Sequence, residues 1–178
     1  MDERALIEAV KRGDIKAFES IVDRHSRRLF SLIYRFVHNH EDTEDLMQVV
    51  WMNLYRNIAR FKGNCSIYTY LYRIGVNASI NWIRKRRTKE LISRLVPFIK
   101  QPDDPLTQSI KDEELRTLER GIDGLPARQK AVFILRREQD LSFAQIGEIE
   151  NITENNAKVN YPQALLNLKK FLKKEKVI

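Results

Sequence analysis

Between Arg60 and Arg87 the chain reads RFKGNCSIYTYLYRIGVNASINWIRKRR. Phe61, Tyr68, Tyr70, Tyr72 and Trp82 supply flat ring faces, and the segment closes on Arg84, Lys85, Arg86 and Arg87. From Arg60 to Glu90 eight cations stand against the single acid Glu90, which is almost the whole formal net charge of +8. Cations neutralise phosphates, and aromatic faces stack on unpaired bases. Both in one short stretch predict a surface that handles single-stranded or opened nucleic acid.

Other chemistries find no support. One cysteine, Cys65, cannot form an intrachain disulfide or a cysteine cluster, and the three histidines are scattered. No Gly-rich phosphate loop and no nucleophile–base signature is present, so neither an enzyme nor a metal or cofactor is expected. The composition, 43% hydrophobic and 31% charged over 178 residues, is that of a globular protein with one medium domain or two small ones. No apolar run reaches the roughly 18–20 residues of a membrane span. The opening MDERALIEAV is acidic and lacks a hydrophobic leader core. A cytoplasmic protein without membrane insertion is therefore expected.

The elements that must carry this segment read as all-helical. Ala5, Leu6, Ala9 and Val10 mark a first helix, broken at Gly13-Asp14. Phe18, Ile21, Val22, Leu29, Leu32, Ile33, Phe36 and Val37 mark a second, ended by His38-Asn39-His40. A third runs from about Thr43 to Ala59, with Leu46, Val50, Leu54 and Ile58 one turn apart. After the polar loop Phe61–Ser66, a fourth spans about Ile67 to Lys89. Three prolines between Val96 and Gln108 then predict an extended linker. The chain thus divides into domains at 1–94 and 110–178, with a linker at 95–109. Acids dominate from Lys100 to Gly124, and five lysines crowd the last ten residues.

The second domain ends in a recognisable pattern. Leu125-Pro126 opens a helix where the missing proline N–H costs nothing. Ser142-Phe143-Ala144-Gln145 has the spacing of a capping box. Asn151 suits a left-handed break, and Thr153 can cap a following helix carrying Ala157, Leu165 and Leu168. A short helix, tight turn and capped second helix form a helix-turn-helix, whose second helix enters the major groove. An αα-hairpin without DNA function has similar spacing. A stand-alone helix-turn-helix regulator and an RNA-binding module also remain open from the residues alone.

Set in order, these pieces resemble an extracytoplasmic-function (ECF) sigma factor of the bacterial sigma-70 family. Region two is matched by Glu44-Asp45-Leu46-Met47-Gln48, Arg60-Phe61-Lys62-Gly63 and Leu71-Tyr72-Arg73-Ile74. Region four is matched by Leu125 through Phe133 and by Leu141 through Ile146. The resemblance implies binding to core RNA polymerase and its recruitment to promoter DNA. Asp45, Leu46, Gln48, Val49 and Met52 would dock on the largest catalytic subunits. Phe61, Lys62, Asn64, Cys65, Ser66, Tyr68, Tyr70, Arg73, Asn77, Arg84, Lys85, Arg86 and Arg87 would engage the minus-ten element, with Asn64-Cys65-Ser66 capturing a flipped base. Tyr68 and Tyr72 share a helical face, and Tyr70 points elsewhere. Arg128, Thr153, Asn155, Asn156, Lys158, Val159, Asn160, Pro162 and Gln163 would meet the minus-thirty-five element. That helix departs from the family in holding one cation, Lys158, and a proline that must kink or end it or cost about 3 kcal/mol. Relatives are commonly held by an anti-sigma factor, a further partner that the resemblance implies.

Overall fold

A computed structural model describes residues 2–95, 110–137 and 139–175, with side chains described for 2–88, 113–137 and 139–175. The expected linker lies almost entirely outside the described residues. Among the described residues eight α-helices follow in order: α1 Glu3–Lys11, α2 Ile15–Val37, α3 His40–Asn57, α4 Ile67–Leu95, α5 Ile110–Asp123, α6 Ala127–Arg137, α7 Phe143–Glu150 and α8 Glu154–Lys174. A 3₁₀ turn, Ile58–Arg60, follows α3. No strand occurs among the described residues.

The first four helices form one bundle. Asp14 accepts from Ala17 N at 3.1 Å and starts α2 immediately after the Gly13 break. Asn39 accepts from Asp42 N at 2.9 Å, so α3 begins at His40 rather than at Thr43. One side-chain oxygen satisfies an orphan amide, and three further residues become helical. The bundle interior is formed by Ile21, Leu29, Leu32, Ile33, Val50, Leu54, Ile67, Leu71 and Val76, all at most 1% exposed. Each lies on the stripe that the three-to-four spacing marks.

The last four helices form a second bundle, with α8 packed on α5, α6 and α7. Pro126 stands one position ahead of α6, its carbonyl accepting from Lys130 N at 2.9 Å. Ser142 accepts from Gln145 N and Gln145 accepts from Ser142 N, completing the capping box. Asn151 ends α7 at φ 54°, and Thr153 accepts from Asn156 N at 3.1 Å to start α8. Leu165, expected inside, is 42% exposed, and Ala164 occupies the buried position instead. α8 passes through Pro162 as far as Lys174, so the proline does not end it.

Candidate nucleic-acid and polymerase interface

Exposure divides α3 into two faces. Leu46, Met47, Val50 and Leu54 are buried. Asp45, Gln48, Val49, Met52 and Tyr55 are exposed, at spacings that align them along one side. Val49, Met52 and Tyr55 are each about half exposed, at 50%, 51% and 53%. The exposed apolar row is therefore Val49-Met52-Tyr55, while Met47 and Trp51 turn toward the bundle. Sequence reasoning misses Tyr55 because an aromatic at helical spacing reads as core; its ring is held edge-on to Phe18 at 5.2 Å. Three exposed apolar side chains flanked by an acid and an amide form a patch of the kind that partners cover. Leu46, expected at that contact, faces inward and braces the helix.

The loop between α3 and α4 turns at Gly63, whose φ of +73° favours glycine. Beside it lies a cavity of about 280 Å³ lined by Asn57, Arg60, Phe61, Lys62, Asn64, Cys65, Tyr70 and Arg73. Lys62 and Asn64 are exposed at its rim. Phe61 is buried, its ring 5.2 Å from that of Tyr70, and supports the floor rather than presenting a free face. Ser66 serves the helix instead of the cavity. Its Oγ accepts from Thr69 N at 3.0 Å and lies 3.0 Å from Thr69 Oγ1, at the start of α4. Replacing Ser66 with alanine is expected to cost about 1 kcal/mol in urea unfolding, the usual loss for such a cap. An unchanged midpoint would leave the hydroxyl with no structural role.

Along α4, the rings of Tyr68 and Tyr72 meet tilted by 35° with centroids 4.1 Å apart, while Tyr70 lies on the Phe61 side. Tyr72 is 2% exposed, and burial pushes its hydroxyl pKa well above the ordinary value. Trp82 donates to Asp42 Oδ1 at 3.2 Å, and Arg86 lies 5.2 Å from its ring centroid. Asn77, Arg84, Lys85, Arg86 and Arg87 are exposed.

On α8, Asn155, Asn156, Lys158, Val159, Pro162 and Gln163 are exposed, and so is the capping Thr153. Asn160 is half-buried and donates to Asn156 O. Lys158 pairs with Glu154 at 2.7 Å, so the one cation of this face is partly neutralised. Arg128 is exposed at the start of α6. Amide side chains can pair with adenine edges, and this helix offers more of them than it offers charge.

A bundle with an exposed acidic–apolar row and an aromatic–basic helix, joined in one chain to a helix-turn-helix, has the organisation of a DNA-binding transcription protein. Residues 21–89 match sigma-70 region 2, and residues 115–168 match sigma-70 region 4. The chain is 31% identical to the ECF RNA polymerase sigma factor SigW of Bacillus subtilis, over 94% of this chain and 95% of that protein. It is 30% identical to the ECF RNA polymerase sigma-E factor of Haemophilus influenzae, over 84% of each. Its fold superposes on the sigma factor RpoE of Bartonella quintana, solved in complex with the anti-sigma factor NepR. That match has a TM-score of 0.64 and 22% identity, covering 89% of this chain and 98% of the other. The chain belongs to the ECF RNA polymerase sigma factors. It is a sigma factor, which binds core RNA polymerase and directs promoter recognition and transcription initiation.

Proposed function

We propose that the labour of initiation is divided along the chain as follows. Residues 1–94 anchor on core polymerase and open the minus-ten element, residues 95–109 thread between the promoter elements, and residues 110–178 hold the minus-thirty-five element. Asp45, Gln48, Val49 and Met52 contact the largest catalytic subunits, with Tyr55 extending that row. The single observation that carries this reading is the exposed acidic–apolar face of α3, where Val49 and Met52 stand about half exposed on the side opposite buried Val50 and Leu54. Asn64 and Cys65, at the cavity beside Lys62, receive a flipped base; the unstacking cost of a few kcal/mol is offset by edge bonds and by ring contacts from Tyr70. Arg73, Asn77 and Arg84–Arg87 hold phosphates. Asn155, Asn156, Lys158, Val159 and Gln163 face the upstream major groove.

Catalysis stays with polymerase in this reading, and the protein acts in the cytoplasm without a cofactor of its own. No described helix is long and apolar enough to cross a membrane. An anti-sigma factor, the partner seen with the Bartonella protein, would cover these same faces.

In vitro transcription with core polymerase on genomic DNA, followed by sequencing of transcript starts, tests the reading. A shared set of start sites preceded by two spaced motifs is expected; failure to direct any start overturns it. A finer split is also expected. Asn64→Ala lowers strand opening, read by permanganate footprinting, by about tenfold with little change in polymerase affinity, the loss typical of one bidentate base contact. Asp45→Ala with Gln48→Ala does the reverse, and equal loss of both functions in either variant would refute the division.

A further inference from the structure

A second cavity, of about 360 Å³, lies away from the loop at Gly63. Its volume falls within the range of small-molecule sites, roughly 300–1,000 Å³. Phe36 and Val37, at the end of α2, form one wall with the His38-Asn39 turn. α4 supplies a second wall. Trp82 with Arg86, and Ile83 with Arg87, are four residues apart, so helical pitch lays the two pairs side by side. Asp123 at the end of α5 and Lys130 of α6 complete the lining. Two kinds of surface meet there. Phe36, Trp82 and Ile83 are apolar and suit a planar ring. The bond from Trp82 Nε1 to Asp42 Oδ1 fixes the indole, and the Arg86 guanidinium lies 5.2 Å from its centroid. Aromatic rings and guanidinium planes are the surfaces on which nucleobases stack.

The other surface is cationic: Arg86, Arg87 and Lys130 stand against a single acid, Asp123. Lys130 is 3% exposed, the one buried charged residue among those described. Its ammonium is held by Asp123 Oδ1 at 2.6 Å and caps α2 by donating to Phe36 O at 3.1 Å. An ammonium has three donors, so these two bonds leave one. Burial pushes its pKa down and Asp123 opposes that shift, so a further anion beside it would lower the cost of the buried charge. Arg87 caps α5 through the carbonyl of Asp123, which uses only part of a five-donor guanidinium. His38 Nε2 is buried, makes no hydrogen bond among the described residues and lies 3.8 Å from Asp123 Oδ1. Buried polar atoms are normally paired, and a polar ligand atom would pair this one. The loop cavity at Gly63 is less available to an anion, because its Arg73 caps α7 through the carbonyls of Glu148 and Ile149.

We propose that this cavity binds a free nucleoside diphosphate, with the base against Trp82 and Ile83 and the phosphates on Arg86, Arg87 and Lys130. Guanidinium groups take phosphate oxygens through paired, charge-assisted bonds, and the excess of cations matches a multiply charged anion. The apolar wall distinguishes such a ligand from inorganic phosphate, which has nothing to place there. Arg86 and Arg87 are also the groups assigned above to DNA phosphates. A bound nucleotide therefore competes with promoter DNA for them and makes promoter affinity depend on nucleotide concentration. That competition rests on the DNA assignment of the two arginines; the binding itself does not.

The test uses the full chain carrying Trp51→Phe, which leaves Trp82 as the only tryptophan. Titration with ADP is expected to change Trp82 emission saturably. Adenosine and pyrophosphate, titrated separately, should each bind weaker by about tenfold or more, since each lacks one set of contacts. Arg87→Gln should weaken ADP by about tenfold, the usual loss for one charge-assisted bond. Ile83→Glu, which sets an acid in the apolar wall, should abolish the response, with circular dichroism showing that each variant folds. No saturable response to ADP overturns the site. Pyrophosphate binding as tightly as ADP would leave an adventitious ion only and overturns the nucleotide, and so does unchanged ADP affinity in a folded Arg87→Gln. These three ligand titrations decide the matter even where a variant loses its fold. ADP at ten times its midpoint should then weaken a single-stranded minus-ten oligonucleotide by about tenfold in anisotropy. Absence of that effect with ADP bound would overturn the shared use of Arg86 and Arg87. Failure of the sigma assignment would appear separately, as absence of transcript starts.

Discussion

Gly147→Ala is expected to destabilise the second bundle by about 2–3 kcal/mol, although alanine is the better helix former by about 1 kcal/mol. The reason lies in the turn. Gly147 sits inside α7, where its carbonyl accepts from Ile152 N at 2.9 Å and from the Asn151 amide. A methyl group there would stand 2.8 Å from Ile152 O and 3.3 Å from Glu154 N. Both neighbours are backbone, one at the turn and one in the first residue of α8, so relief requires moving the recognition helix. Urea unfolding followed by circular dichroism checks this, with tryptophan fluorescence as an internal control because Trp51 and Trp82 both lie in the first bundle. A midpoint raised toward the alanine preference would show that the turn has room to spare. Affinity for an upstream duplex should fall with stability, since Asn155, Asn156 and Val159 all follow the displaced residue.

That glycine illustrates which features a single sequence exposes. The capping box at Ser142, the left-handed Asn151 and the Thr153 cap are local. Each is fixed by residues within four positions, and each is legible in the sequence. So is the separation of Tyr70 from Tyr68 and Tyr72, which follows from helical pitch. Gly147 carries a faint signal, since a glycine within a helical pattern often marks a close backbone approach, but nothing in its neighbourhood says what approaches. Ser66 is legible as polar and reads as a base-capture residue; its bond to the Thr69 amide makes it a cap. Leu165 and Ala164 differ by one position on α8, and helical periodicity alone places a stripe no more finely than that. Lys130 is invisible to such reading. It stands in a run that reads as an ordinary helix start, and its partner Phe36 is 94 residues away. The same distance in sequence hides the caps made by Arg73 and Arg87. Cations that read as solvated or phosphate-facing are, in this conformation, bound to helix ends.

Glu150 turns the end of α7 into a place where pH should be felt. It closes the helix just before Asn151, half-buried, and burial pushes its carboxyl up to about 7 from an ordinary value near 4.5, with Arg128 opposing the shift. Between those two values the folded protein keeps a proton that the unfolded chain has released. Folding is therefore favoured below about pH 4.5 relative to neutral conditions, and that advantage is lost as pH rises through about 7. A shift of this size corresponds to about 3 kcal/mol at most, since each unit is worth about 1.4 kcal/mol. Glu150→Gln removes the titration and leaves an amide of nearly the same shape. The variant should match the unaltered protein near pH 4 and exceed its stability by about 2–3 kcal/mol at pH 8. Urea midpoints at five or six pH values decide it, because parallel profiles for the two proteins would mean that Glu150 titrates as an exposed carboxylate. The consequence reaches the DNA side of the domain: α7 and the turn after it set where α8 begins, so a charge forced into this half-buried site loosens the seat of the recognition helix. Duplex binding by Glu150→Gln should accordingly weaken less between pH 6 and pH 8 than that of the unaltered chain.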